Sequence, residues 1–579
     1  MSFLNKKEQE GKKAPAAPPQ LPQDEKSLLK KKTLLKALCF AFAGGVLFAC
    51  ALPPFNIWPA GFAALAPLVW CGARLDWKRS ALCGWVWGLG WALFAFQFLR
   101  EIEPPVPYLL APVLGIWPAV SGALISAIGR EVLIPAAVQA EPYEVRKNYF
   151  TDRIPWYRTA LFILCAAVIY TLVEWTRSRL FTWNDLSVTQ WRNLPFIQIA
   201  SVTGSYGVLF FTALGGAALG CITLRKGKVC ALAVLGVLLL NWGAGFCKMK
   251  FAPLETDSSW SPALIQGDLS QRRHAGEAQF REALQVYINL SAEAAKSKPD
   301  LIIWPESAVP MPLRSSHPFS IEFAQAFSKL LLETQTPMLI GALDFAYPKP
   351  GTSDYGVTNS ALYFDKDRVL KYKYDKIHRV PYGEYIPFRK LLPEFLINMI
   401  DMGRDLTSGV NRTPLELPNG LKVSTAICYE GVFGYLTRDF ARRGAKVLLV
   451  LSNDAWYPKS SEPEQHLANA LMRAIETGLP MLRCGNNGGS GVVNPDGTLA
   501  NFLDVPGVPG RVEIKRGRAF GKVEVRYKNT PRLTFYVKYG EWFIGLLGVL
   551  FAAFAAAALV NHLQFCRCLP DSNRYLKKD

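Results

Sequence analysis

Histidine is scarce in this chain, five in 579 residues, and the five are scattered. No Cys-x-x-Cys pair and no His-Glu-x-x-His run occurs, so the common zinc spacings are missing and nothing in the sequence asks for a metal or another cofactor. Material for disulfides is short as well. Of 12 cysteines, Cys39, Cys50, Cys71, Cys83, Cys165, Cys221, Cys230 and Cys247 lie within apolar runs, and Cys566 and Cys568 stand near the end. Only Cys428 and Cys484 occupy the long polar stretch between, which excludes a disulfide framework. The first apolar run, 33–52, lacks a small-residue cleavage site and reads as a retained span, not a signal peptide. A nucleic-acid partner is also set aside. The formal charge of +19 is carried beside apolar runs, where it fits anionic lipid headgroups and membrane topology.

What the chain does have is apolar length. Half its residues are hydrophobic, and 579 residues exceed one ordinary core, so a membrane part joined to a soluble part is expected. Residues 1–32, with Lys pairs at 6–7 and 12–13 and a triplet at 30–32, read as a disordered basic tail. Runs at 33–52, 57–74, 81–99, 107–129, 158–177, 203–223 and 228–248 each approach the roughly 20 residues a bilayer requires, giving a seven-helix region over 33–250. One more run, Trp542 to about His562, follows a linker from 531, and a tail at 564–579 closes the chain.

Loop charge orients these spans. The N-terminal tail and the loops at 74–79, 130–158 and 225–228 are basic, whereas 53–56 is uncharged and 100–103 holds one Arg against two Glu. The positive-inside rule puts the first set in the cytoplasm, so seven crossings bring residue 250 to the opposite face and the eighth returns the chain. Arg179 and Arg192, in the loop 178–202, run against the rule.

Between 251 and 530 the pattern changes to short apolar strands alternating with amphipathic helices. Strands are expected at 263–266, 301–304, 338–343, 359–364, 369–373, 423–427, 447–451, 482–484 and 491–494, and helices at 276–296, 318–334 and 463–478. This is the order of a layered α/β domain.

Three strand ends in that domain carry chemistry. Cys428 follows the strand-like run Leu421–Ile427 and is either a nucleophile, if its pKa is lowered, or a buried structural thiol. Glu306, in Trp304-Pro305-Glu306, is held outside regular helix by Pro305 and Pro310 and is either a general base or a salt-bridged carboxylate. Lys376 leads into Pro381-Tyr382-Gly383-Glu384 and could serve an oxyanion, with Glu384 orienting it, or belong to a solvated basic edge.

Together, Trp304-Pro305-Glu306, Asp375-Lys376 with Pro381-Tyr382-Gly383-Glu384, and Cys428-Tyr429-Glu430 resemble the Glu, Lys and Cys motifs of the nitrilase (carbon–nitrogen hydrolase) superfamily. With seven spans before them and one after, the chain resembles the apolipoprotein N-acyltransferase family of Gram-negative bacteria. Glu174-Trp175, Ser452-Asn453-Asp454-Ala455-Trp456, Gln465-His466 and Arg473-Ala474-Ile475-Glu476 are similar to that family too.

The resemblance implies an αββα nitrilase-like sandwich on an eight-helix transmembrane bundle in the inner membrane, with the catalytic domain in the periplasm. It implies Glu306 as base, Lys376 as oxyanion stabiliser and Cys428 as nucleophile, supported by Glu384, Tyr429 and Glu430. The reaction implied moves an acyl chain from a phospholipid through a cysteine thioester to the α-amine of a diacylglyceryl apolipoprotein. A membrane-tethered nitrilase-type amidase is the alternative. Leu391–Met402 reads as an amphipathic arm on the membrane surface or an ordinary packed helix, with Leu396 and Ile400 on its apolar side, and Trp456 as a possible lining of the lipid entrance.

Overall fold

The structure is a computed structural model that describes residues 23–139, 154–252, 254–271, 276–313, 315–346, 356–394, 397 and 405–568. Most of the basic tail, and Leu396 and Ile400 of the arm, lie outside the described residues.

Among the described residues, five helices are long and apolar enough to cross a bilayer: Thr33–Ala51, Val106–Leu133, Trp156–Leu180, Gly227–Phe251 and Trp542–Arg567. Helices also occupy the other three expected runs, as Trp58–Ala64 with Ala66–Arg74, Trp77–Ala95, and Ser205–Gly220. Pro67 enters at the start of Ala66–Arg74, where a missing N–H is least costly, and divides that run in two. The helices pack through small residues. Gly45 and Gly90 bring Thr33–Ala51 and Trp77–Ala95 so close that a Cβ at either would meet the other's backbone. Glu174, the buried charge of this region, pairs with Arg177 one turn on at 2.9 Å.

The C-terminal part is built on two large mixed sheets, with a small antiparallel pair, Ser258–Trp260 and Val525–Tyr527, beside them. One has the order Ala519–Lys522, Ala263–Gln266, Ile302–Ile303, Met338–Phe345, Val357–Phe364, Leu370–Asp375, with Val309–Pro312 also paired to Met338–Phe345. The other runs Leu499–Ala500, Gly491–Val493, Met481–Gly485, Val447–Ser452, Lys422–Ile427, Leu415–Glu416. They meet face to face, with the Cys484 thiol 3.4 Å from the Ile303 carbonyl of the facing sheet. Helices Glu277–Ala295 and Pro318–Thr334 cover the first sheet, and Gly434–Arg442 and Glu462–Thr477 the second. All nine expected strands are present within a residue or two. The sequence reading missed Val309–Pro312, where two prolines occupy an edge that needs few ladder hydrogen bonds.

Three loops of the membrane region dock onto helix Glu462–Thr477. Gln465 Nε2 donates to the Pro53 and Ala95 carbonyls at 3.3 and 3.1 Å, and Trp183 Nε1 and Asn184 Nδ2 donate to Gln465 Oε1 at 3.1 and 2.8 Å. Arg192, which ran against the charge rule, pairs with Glu464 and Glu513, and Arg179 pairs with Glu541. Local carboxylates thus account for both arginines.

Candidate active site

The motif residues leave from the ends of three strands: Ile302–Ile303 and Lys422–Ile427, which have parallel neighbours, and Leu370–Asp375, which pairs antiparallel at the edge of its sheet. Glu306 stands three residues past Ile302–Ile303, Lys376 directly follows Leu370–Asp375, and Cys428 directly follows Lys422–Ile427. The backbone at Glu306 lies against Gly341 of the adjacent strand, where a Cβ would come within 2.7 Å of the Glu306 Cα and closer still to the Pro305 carbonyl. Glycine is what lets the Pro-bracketed turn settle onto the sheet.

Lys376 is almost fully buried, and its Nζ lies 3.0 Å from both Glu306 Oε1 and Glu384 Oε1. Asn359 Nδ2 donates to the same two oxygens, at 2.7 and 2.9 Å. Burial alone would lower the lysine, but the two carboxylates outweigh it and hold its pKa well above the ordinary value. Lys376 is therefore a fixed cation.

Cys428 has φ +53, the left-handed region that costs a residue with a Cβ about 1–3 kcal/mol. It is partly exposed, which leaves an approach to the sulfur. Burial first and Glu306 second push its thiol well up, while Lys376 pulls it down. The Glu306 carboxylate and the Lys376 ammonium both act on the sulfur, and groups of these two kinds beside a thiol are able to take its proton and to hold negative charge on an attacked carbonyl.

The supporting residues have distinct places. Glu430 is fully buried and accepts from Ile427 N at 2.8 Å, Ile377 N at 2.7 Å, His378 N at 3.0 Å and Tyr374 Oη at 2.9 Å. One carboxylate thereby ties the Lys376 strand end to the Cys428 strand end. Glu384 holds Lys376 and also accepts from Val380 N at 2.8 Å. Tyr429 turns its ring toward the membrane region, where its hydroxyl accepts from Thr182 N at 3.1 Å. Trp456 ends the short turn Asp454–Trp456 and is exposed, and Tyr457 after it packs on Phe98 of the membrane region.

Two features escaped the sequence reading. Asn359, the bridge between the carboxylates, lies inside a strand between Thr358 and Ser360, where one more polar residue gave no signal. Beneath the cysteine, His466 lies 3.0 Å from the Cys428 carbonyl oxygen and 2.9 Å from Asp454, which pairs with buried Arg483. Among the described residues, Cys428, Asp454 and His466 form a cluster of metal-type donors within 4.8 Å of one another. Both imidazole nitrogens are already engaged, and Asp454 already carries Arg483, so these donors do not present free lone pairs to an ion.

Residues 263–504 match the family model described as carbon-nitrogen hydrolase, and 44–218 the one described as apolipoprotein N-acyltransferase N-terminal domain. A Rhodopseudomonas palustris protein named apolipoprotein N-acyltransferase is 31% identical over 503 residues, 82% of this chain and 88% of its own. This chain belongs to the apolipoprotein N-acyltransferase family. A Geobacter metallireducens apolipoprotein N-acyltransferase is 29% identical over 543 residues, covering 91% of this chain and 95% of its own length. Membership joins the two halves of the chain: the apolar helices belong to the family's N-terminal domain, and the sandwich is its nitrilase-like domain.

Proposed function

We propose that the chain transfers a fatty acyl group from a membrane phospholipid to the α-amine of the diacylglyceryl-cysteine of an apolipoprotein, through a thioester on Cys428. Glu306 takes the thiol proton, the sulfur attacks the acyl ester, and Lys376 holds the oxyanion until the lysophospholipid leaves with a proton from Glu306. The amine then attacks the thioester, Glu306 takes its proton, and the thiol is restored. Tyr429 is the second residue of the turn Cys428–Val432, where the first N–H groups have no partner within the turn, and its N–H is the second oxyanion donor.

The observation that carries this reading is the contact of the Cys428 turn with the membrane region. Tyr429 bonds to Thr182, and Trp183 packs on both Tyr429 and His466. A small-amide hydrolase has no need of such a contact, whereas a donor resident in a bilayer does. The same contacts support eight crossings. The loops at 53–56, 96–103 and 181–193 all reach the sandwich, while Asn561, near the far end of the last helix, bonds to Glu131 and Ala136. The sandwich is then periplasmic and the basic loops cytoplasmic.

Incubation of the purified chain with acyl-labelled phospholipid tests the reading. Label should appear on Cys428 as a hydroxylamine-sensitive thioester and move to a diacylglyceryl peptide. Hydrolysis of small amides with no label retained would favour the amidase.

Glu430 adds a pH dependence. Burial pushes its carboxyl up to about 7 against the hydrogen bonds from His378 and Ile427. All four of its partners are donors, so the charged form, present above that pH, is the one that holds the two strand ends together. Thioester formation should fall about tenfold per unit below pH 7, and Glu430→Gln should be slow with no such limb. An initial-rate profile that is level from about pH 5.5 to 8 in the parent chain would remove this role.

The arm at 391–402 meets the bilayer surface in this scheme. Phe388 and Leu391, where it begins, are 77% and 81% exposed. Leu396→Asp with Ile400→Asp should slow transfer from vesicles about tenfold by removing insertion, with less effect on detergent-dispersed donor. Equal rates from both donors would end the arm's role.

A further inference from the structure

The left-handed backbone at Cys428 needs something to hold it, and His466 is the side chain bonded to that residue's carbonyl. The His466 ring faces acceptors on both sides. Nε2 lies 3.0 Å from the Cys428 carbonyl oxygen and Nδ1 lies 2.9 Å from Asp454 Oδ1. A carbonyl and a carboxylate only accept, so each of these contacts is a hydrogen bond only where the ring nitrogen in it carries the hydrogen.

The surroundings support the charged form. A protonated Asp454 could donate to a neutral ring instead, but Arg483 bonds the other oxygen of that carboxylate. Burial would raise Asp454; Arg483 and His466 outweigh it and hold the carboxyl below its ordinary value. Arg483 Nη2 also approaches Nδ1, at 3.5 Å, and the closer carboxylate wins. Glu462 Oε1, one turn back on the same helix, lies 3.8 Å from Nδ1 and adds to the negative field. The Trp183 ring, with its centroid 5.6 Å away, offers an aromatic face. A ring nitrogen of His466 and the Cys428 sulfur lie within 4.8 Å of each other, in a site that also holds Lys376 and Glu306.

We propose that His466 is a permanently charged positioning residue, which holds the Cys428 backbone in its left-handed conformation and stabilises the thiolate as a second cation beside Lys376. His466 is then not the base. Neither nitrogen keeps a lone pair to accept the thiol proton, so S–H breaks as O–H forms on Glu306, and the sulfur is left negative between two cations. The Cys428, His466 and Asp454 cluster resembles the triad of thiol proteases in composition only, because the ring points at the cysteine's carbonyl. This inference rests on Cys428 being the nucleophile.

The test follows alkylation of Cys428 by iodoacetamide against pH in the detergent-solubilised full chain, read by peptide mass spectrometry. His466→Gln keeps an N–H donor and loses the charge. Its alkylation curve should move up by about one pH unit, roughly tenfold slower at pH 7, and a curve unmoved from the parent overturns the proposal. The parent chain provides a readout that needs no variant. With nitrogen-15 histidine, His466 should give an imidazolium signature at neutral pH, and a neutral-ring signature overturns the proposal even if the variant does not fold. Neither readout involves a lipid, so they fail or stand apart from the acyl-transfer reading.

Discussion

Lys376→Met is expected to slow acyl capture on Cys428 by at least about a thousandfold with the chain still folded. Two losses coincide. An oxyanion donor is worth about 10²–10³ in rate, and a positioned base about 10²–10⁴. Removing Lys376 disables both, because Glu306 and Glu384 are bridged by Asn359 and are left without the cation between them. Two carboxylates in one buried site share a proton, so Glu306 enters the reaction already protonated and cannot take another from the thiol. That same proton limits the damage to the fold, since it cancels a charge that would otherwise stay buried and unpaired. Lys376→Arg should not restore the rate, because a planar guanidinium cannot reach both Oε1 atoms from the space a compact ammonium fills. Single-turnover capture of labelled acyl chain, run beside thermal unfolding, checks this. A rate within tenfold of the parent would remove Lys376 from the chemistry.

Much of this site was legible because Lys376 and Cys428 each sit immediately beyond a strand. The run Val423–Ile427 is buried throughout, as its mostly apolar and β-branched sequence without helical spacing suggested, and a residue following such a strand has one place to go. Glu306 was legible for a different reason, since two prolines fix its turn. Asn359 was not, because period-two alternation says which side of a strand a residue faces but not what awaits it there. The membrane spans divide in the same way. Gly227–Phe251 faces outward along most of its length, and its apolar run is read directly as a span. Trp58–Ala64 with Ala66–Arg74 is divided ahead of Pro67, so neither helix is by itself long enough to be read as a span. Arg179 and Arg192 could not be matched to their partners from the sequence, because Glu541, Glu464 and Glu513 lie hundreds of residues away along the chain and are brought beside them only by the fold.

Arg483 carried a sequence signal that went unused, and its replacement should produce the largest loss of stability. It stands inside Met481–Gly485 between Leu482 and Cys484, and all three are completely buried. A guanidinium in such a strand has to meet a counter-charge, and it meets Asp454, which is equally buried and also holds His466. Arg483→Met fills a similar volume but leaves the carboxylate in a dry site with one partner. Breaking a buried pair from one side costs about 3–5 kcal/mol. Adding Asp454→Asn should recover part of that cost, because the stranded charge is removed, even though another hydrogen-bonding partner changes. The order of unfolding midpoints expected for the full chain in detergent is therefore parent, then the double variant, then Arg483→Met alone. A double variant less stable than the single one would mean that Arg483 acts through packing and its bond to the Gly489 carbonyl, not through Asp454. The Arg483→Met chain should also lose acyl capture before it unfolds, since Asp454 without its arginine can take a proton and donate to His466, and the sulfur then faces a neutral ring.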